Sequence, residues 1–479
     1  MNQPSMNQHL SPDALSFDFA SLAAAYRAGL SPSAVIEETY LRLEQHTGEH
    51  VWTHVVARAD ALQQAHRIEQ LAARGADLPL YGLPFGVKDN IDVEGLPTSA
   101  ACASFTYTAT RTATVVEKLR AAGAILIGKQ NMDQFATGLV GIRSPQGYCR
   151  NPFDRDYVPG GSSSGSAVAV STGQASFSIG SDTGGSGRVP AAFNNIIGLK
   201  PTPGRVSSDG FLYCNRSFDV PPVFALTAAD AFKVLQVIEG YDERDIYSVA
   251  PPPRTSGRSG LPEQFRFALP GPADLEFFGD RHAEAQFAAA VVKLREMGGT
   301  PVEIDFAPFL EAGRMVFSSA LVAERWLTYG EAAGRGGAEV HPVVQQAILN
   351  AKQYDAADAF RTLYRLEELK RLAYREIQKA DVLLVPTCGT IYRCDEVEAD
   401  PVRLNANLGY YTYFANPLRL CAVSVPAGLR PDGLPFGVCF LGMPFADQDL
   451  YAYASRMQAA FGGNLGATSH PVVAAPSNQ

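Results

Sequence analysis

The sequence predicts an α/β protein with a mixed, twisted β-sheet core covered by helices on both faces, and three observations lead there. Short apolar runs alternate with amphipathic stretches from Leu80 onward: TATVVEKLRAAG (112–123) runs into AILIG, and AAAVVKLREMGG (288–299) into TPVEIDF. Strands joined by helical crossovers give this alternation, which favours a largely parallel sheet. The chain has 479 residues and 46% hydrophobic content, ample for a large core, and its 19% charged fraction is that of a globular protein.

Three regions follow in order. Residues 1–78 read as helices packed on the core. Ser31-Pro32 is a helix start before AVIEETYLRLEQ, and ADALQQAHRIEQLAARG stops at Gly75. Residues 79–250 hold the Gly/Ser-rich stretch 151–208, which lacks a charge run and so reads as backbone folded tightly around something. APPPRTSGRSGLPEQ (250–264) reads as a surface connection. Residues 251–479 complete the sheet and the pocket, with the long helix ADAFRTLYRLEELKRLAYREIQKA (357–380) leading into the strand DVLLVPT.

The hexamer GLPFGV occurs at 82–87 and again at 433–438 without similarity around it. Both copies read as one strand grammar: a glycine turn, a proline at the strand start, and alternating Leu, Phe and Val for a core face. The second runs on into Cys439-Phe440-Leu441 and predicts a buried strand, whereas the first ends in Lys88.

Composition excludes several roles. A net charge of -9 gives no basic footprint for nucleic acid. The opening MNQPSMNQHLSPDALSF has neither a basic nor an apolar leader segment, and no run approaches the roughly 18 apolar residues of a membrane span, so a cytoplasmic protein is expected. Seven scattered cysteines without CxxC spacing predict buried free thiols, with no metal.

PGGSSSGSAVAVSTGQASFSIGSDTGGSGRVPAAFNN (159–195) carries two glycine-flanked serine clusters, each tied to a strand or a helix start. A serine in such a turn has backbone N–H groups aimed around its own Oγ, which is what an oxyanion hole needs. Ser163 satisfies G-x-S-x-G, but the nucleophile elbow needs an apolar strand before it, and RNPFDRDYVP is not one. All eight histidines lie outside residues 67–281, and His282 and His341 look ordinary. GAILIGKQ (123–130) mimics a phosphate loop, yet its middle is an apolar strand and it ends in Gln130. A serine without histidine requires another base, and a neutral lysine is the physical alternative. Lys88 leaves its strand on the face shared with Pro84 and Gly86, where burial would depress its pKa, and Asp89-Asn90 follow as groups able to order it.

Lys88, GGSSSGS and SDTGGSGRVPAAFNNIIGLKPT, with Ser162 and Ser186 24 positions apart, closely resemble the amidase signature family of Ser-Ser-Lys amidohydrolases. The resemblance is strongest over about 80–204 and looser to about 460, so no further C-terminal domain is expected. It implies an amidase-signature fold, with the catalytic core in 79–250. It also implies Ser186 as nucleophile, Ser162 as bridging serine after a cis peptide at Gly161, and Lys88 as base. The amides of Thr183, Gly184, Gly185 and Ser186 would form the oxyanion hole, with no cofactor.

Within the family, KDNIDVEGLPTSAAC, NMDQFATGLVGIRSPQGYCRNPF, LVAERW and DPVRLNANLGYYTYFANPL are similar to the allophanate-hydrolysing branch. That similarity implies hydrolysis of N-carboxyurea, with Arg325 holding the substrate carboxylate by paired hydrogen bonds. Three departures stand out. Phe317 occupies the place of a substrate-contacting tyrosine, Gly185 replaces a common alanine, and Pro221-Pro222 replace smaller or polar residues. Alternatives are carbamates (urethanes), aryl or alkyl amides, or the role of an amidotransferase A-type subunit. The expected partner is a small amide, ureide or carbamate, with no nucleic acid, no membrane and a homodimer as the assembly.

Overall fold

Local signals set several helix starts. The helix expected after Ser31 spans Pro32–Gln45, with Ser31 Oγ accepting the Ala34 N–H at 3.2 Å. The next spans Arg58–Ala73, and the long one Ala356–Ile377, opened by a capping box between Asp355 and Asp358. The computed structural model describes residues 15–250, 252 and 260–473, so most of the connection expected at 250–264 lies outside the described residues.

The strands in chain order are β1 (Trp52–Val55), β2 (Pro84–Lys88), β3 (Pro97–Thr98), β4 (Tyr107–Thr108), β5 (Ile125–Gln130), β6 (Phe177–Ile179) and β7 (Ile197–Lys200). They continue with β8 (Val223–Ala225), β9 (Phe265–Pro270), β10 (Gly299–Ile304), β11 (Val382–Pro386), β12 (Cys421–Leu429) and β13 (Pro435–Gly442). Strands β3 and β4 pair with each other, and the other 11 form one sheet in the order β1-β5-β2-β6-β8-β7-β12-β13-β11-β9-β10.

Two expectations change here. The N-terminal region is not helical throughout, because β1 pairs antiparallel with β5. Four residues are too few to show a period, and this strand exists through a partner some seventy residues away. The sheet is mixed, but it is not largely parallel. Only β5-β2-β6 and β11-β9-β10 run parallel; the pairs between and beside them are antiparallel. The parallel neighbours β2 and β5 are joined through the helix Thr114–Ala121, and β9 and β10 through Arg281–Glu296. The centre is built from short strands and the β12-β13 hairpin, which a rule based on helical crossovers does not see.

Helices cover both faces. Phe85, Val87, Leu384, Val423 and Phe440 pack on one side with Val35, Ala61 and Phe287, while Leu383, Val385, Ala422 and Cys439 pack on the other with Phe306, Phe309 and Leu369. The two GLPFGV copies do share a grammar. Gly82 and Gly433 turn at φ 68° and 83°, and both copies lead into strands, parallel to its neighbours in β2 and antiparallel in β13. All seven cysteines are buried and free. Among the described residues no helix is long and apolar enough to cross a membrane.

Candidate active site

Strand β2 delivers Lys88 from its C-terminal end. Leu83, Phe85 and Val87 point into the core, where Phe85 stacks on Phe177 with ring centroids 5.2 Å apart. Lys88 leaves on the opposite face, fully buried, and its Nζ donates to Ser162 Oγ at 2.7 Å, Ser181 Oγ at 2.9 Å and the Ser181 carbonyl at 3.4 Å. Burial pulls its pKa down to about 7, against the opposing pull of the Asp133, Asp219 and Asp182 carboxyls. Asn90 orders the group as expected, donating to Ser181 Oγ at 3.1 Å and to the Leu212 carbonyl at 2.9 Å. Asp89 does not. Its carboxylate accepts the Ser99 hydroxyl and lies 3.7 Å from Lys129, because successive residues leave a strand on opposite sides. Lys129 itself is buried against Thr98 Oγ1 at 2.9 Å and the Pro97 carbonyl at 3.2 Å, in strand β5 rather than a phosphate loop.

The first serine cluster enters through a cis peptide between Gly161 and Ser162. Gly161 N–H donates to the Leu139 carbonyl at 2.9 Å, and the Ser162 carbonyl accepts from the Asp133 N–H at 3.0 Å. Ser162 Oγ lies 2.8 Å from Ser186 Oγ, so Lys88, Ser162 and Ser186 form one hydrogen-bonded series. Ser163 turns away and donates to the Ser181 carbonyl at 3.2 Å, just before the helix Ser164–Ser171. A Cβ at Gly161 would overlap Asp133 Oδ2 and stand 2.6 Å from the Gly141 nitrogen. Gly161→Ala is therefore expected to destabilise the fold by roughly 1–3 kcal/mol and to misplace Ser162, read as a lower melting temperature together with lost turnover.

The second cluster is clamped by an ion pair that sequence reasoning missed. Asp182 accepts the Gly185 and Gly187 N–H groups, both at 2.9 Å, and Arg188 Nε and Nη2, both at 3.0 Å. Both side chains are fully buried, and although burial alone would raise it, the Arg188 charge holds the Asp182 carboxyl below its ordinary value. Asn416 closes the clamp, accepting from Arg188 at 3.2 Å and donating to the Asp182 carbonyl at 2.6 Å. Asp182, three positions after the end of β6, was a readable signal; nothing local marks Asn416, 228 positions from Arg188.

Gly185 is explained by its own backbone. At φ 140° a Cβ there would collide with Thr412 Oγ1. Pro222 fits against the same turn, its Cβ filling the space that a Gly187 Cβ would need. The Gly185 N–H is occupied by Asp182, whereas the amides of Thr183, Gly184 and Ser186 have no protein acceptor among the described residues.

Arg325 lies at the start of the helix Ala323–Arg335 and is 1% exposed. Its Nε donates to Cys214 Sγ at 3.0 Å, its Nη1 to the Val316 carbonyl at 3.2 Å, and its Nη2 has no partner. The half-buried Phe317 ring lies 4.6 Å from the guanidinium carbon and 4.8 Å from the Tyr413 ring. Tyr413 in turn stands 2.8 Å from where a Gly184 Cβ would be. Two rings tilted at 58° to each other thus lead from Arg325 to the turn that carries Ser186. His282 pairs at the surface with Asp432, 3.4 Å away, and the His341 N–H bonds Gln134, so neither hydrogen-bonds to the serines.

A buried lysine is thus linked through one serine to a second, which sits in a glycine turn where three amides have no protein acceptor among the described residues. The chain belongs to the Amidase family, whose model matches residues 34–451. It is 41% identical over 408 residues to the urea amidolyase of Lachancea kluyveri, covering 85% of this chain and 22% of that protein. The chain thus spans about a fifth of the length of that relative. Against the glutamyl-tRNA(Gln) amidotransferase A-type subunit from Symbiobacterium thermophilum it is 36% identical, with coverage of 85% and 87%. Among solved structures, the allophanate hydrolase of Kluyveromyces lactis superposes with a TM-score of 0.88 at 36% identity, over 94% of this chain and 74% of that one.

Proposed function

We propose that the chain hydrolyses allophanate (N-carboxyurea) through an acyl-enzyme on Ser186. The observation that carries the substrate is the buried guanidinium of Arg325, which has no carboxylate within ion-pair distance among the described residues and one unpaired nitrogen. A buried charge without a counter-ion is costly, and a small substrate acid supplies the missing anion. The similarity to urea amidolyase and allophanate hydrolase supports the same choice.

With Lys88 as the free amine, the hydroxyls rotate and the series runs in the catalytic direction. Lys88 takes the Ser162 proton while Ser162 takes the Ser186 proton, and Ser186 Oγ attacks the amide carbonyl. The developing oxyanion meets the amides of Thr183, Gly184 and Ser186, which face no competing acceptor. As the C–N bond breaks, the proton returns through Ser162 to the leaving nitrogen and ammonia departs. Water then attacks the Ser186 ester by the reverse proton path. Lys88, Ser162 and Ser186 touch the reacting atoms; Ser181, Asn90 and the Asp182–Arg188 clamp position them.

Ammonia release from allophanate, biuret, glutamine, aryl and alkyl amides and carbamates tests this reading. Allophanate is expected to give the highest kcat/KM; a carbamate or neutral amide ahead of it would move the assignment, and glutamine ahead of it would favour the amidotransferase-type role. The proposal takes the chain as a cytoplasmic homodimer, and light scattering of the purified protein reads its assembly.

A further inference from the structure

Cys214 is absent from the chemistry above, yet it touches the residue that selects the substrate. Its Sγ accepts the Arg325 Nε–H at 3.0 Å, and it is 1% exposed. The guanidinium is fixed on two further sides, by the Val316 carbonyl on Nη1 and by the Phe317 ring 4.6 Å from its centre. Only Nη2 is left unpaired. A thiol is a weak, neutral acceptor, so it directs the guanidinium without neutralising it. A carboxylate at the same place would pair with Arg325 and remove the charge that a substrate acid needs.

We propose that Cys214 is a positioning residue that aims Arg325 at the acid group of the substrate and thereby sets the preference for carboxylated over neutral ureides. This rests on the reading that Arg325 receives the substrate carboxylate. Its loss would unpair the buried Nε–H and free the guanidinium to turn away from the acid.

Allophanate and biuret are the discriminating pair, because biuret replaces the carboxylate by a carboxamide of the same shape. Their kcat/KM ratio is measured for the parent and for Cys214→Ala, Cys214→Ser and Cys214→Asp. Calorimetric binding of both compounds is measured in a Ser186→Ala background. Cys214→Ala is expected to lower the ratio about tenfold, mainly through the allophanate KM, the size of one charge-assisted hydrogen bond. Cys214→Ser, which keeps an acceptor, should restore most of it, and Cys214→Asp should lower it furthest. Binding should follow the same order. A structural role alone would reduce both substrates together, and an unchanged ratio in the Ala and Asp variants overturns the proposal. A parent with Cys214 intact that shows no preference for allophanate in rate or binding would instead overturn the acid-group reading, and this proposal with it.

Discussion

Replacing Ser186 with alanine is expected to lower kcat/KM for amide hydrolysis by roughly ten-thousand-fold or more while the protein stays folded. The Oγ is the attacking atom in the proposed reaction, and the residual rate would come from the oxyanion amides and substrate binding alone. The turn that carries it is held by the Asp182 carboxylate and Arg188 rather than by the serine side chain, so the backbone should keep its place. Ser163→Ala is the internal comparison. Its hydroxyl donates to the Ser181 carbonyl, and its loss should cost far less activity. Ammonia release by the two variants, normalised to folded protein, checks the contrast.

The second large effect belongs to Lys88. Lys88→Met keeps the stem and removes the base, and a loss of roughly a thousandfold or more is expected. In the proposed reaction the working form is the free amine, and burial brings the lysine to about 7. In the wild type, kcat/KM should therefore rise about tenfold per pH unit below that value and level off above it. The stability effect has the same sign. Between about 7 and the ordinary 10.5, the unfolded chain holds this proton and the folded chain does not. Stability from this group is thus gained as pH rises through that window and is absent below it, where both states are protonated. Lys88→Met should remove that rise, which melting temperatures across the window would show.

Residues that act through local pattern were legible in the sequence. Alternation of Leu83, Phe85 and Val87 placed Lys88 on the face opposite the core, and the glycine-flanked serines announced two tight turns. What escaped were features made by pairing across the chain. Strand β1 pairs with β5 alone, and the antiparallel centre of the sheet comes from strands of three or four residues, β6, β7 and β8, too short to show a period. The clamp on the turn that carries Ser186 joins Asp182 and Arg188 to Asn416, and the Arg325–Cys214 contact links positions 111 apart. Of the four amides that the resemblance points to, that of Gly185 is taken by Asp182, a geometry that no spacing rule encodes.

The central claim is that Ser186 carries the acyl group, and trapping that group tests it most directly. The full chain is mixed with p-nitrophenyl acetate, acid-quenched within the first turnover and digested, and the acetylated peptide is identified by mass spectrometry. The account predicts one adduct, on Ser186, that is absent from Ser186→Ala and strongly reduced in Lys88→Met. An adduct on Ser162 or Ser163, or one that persists in Ser186→Ala, would contradict it.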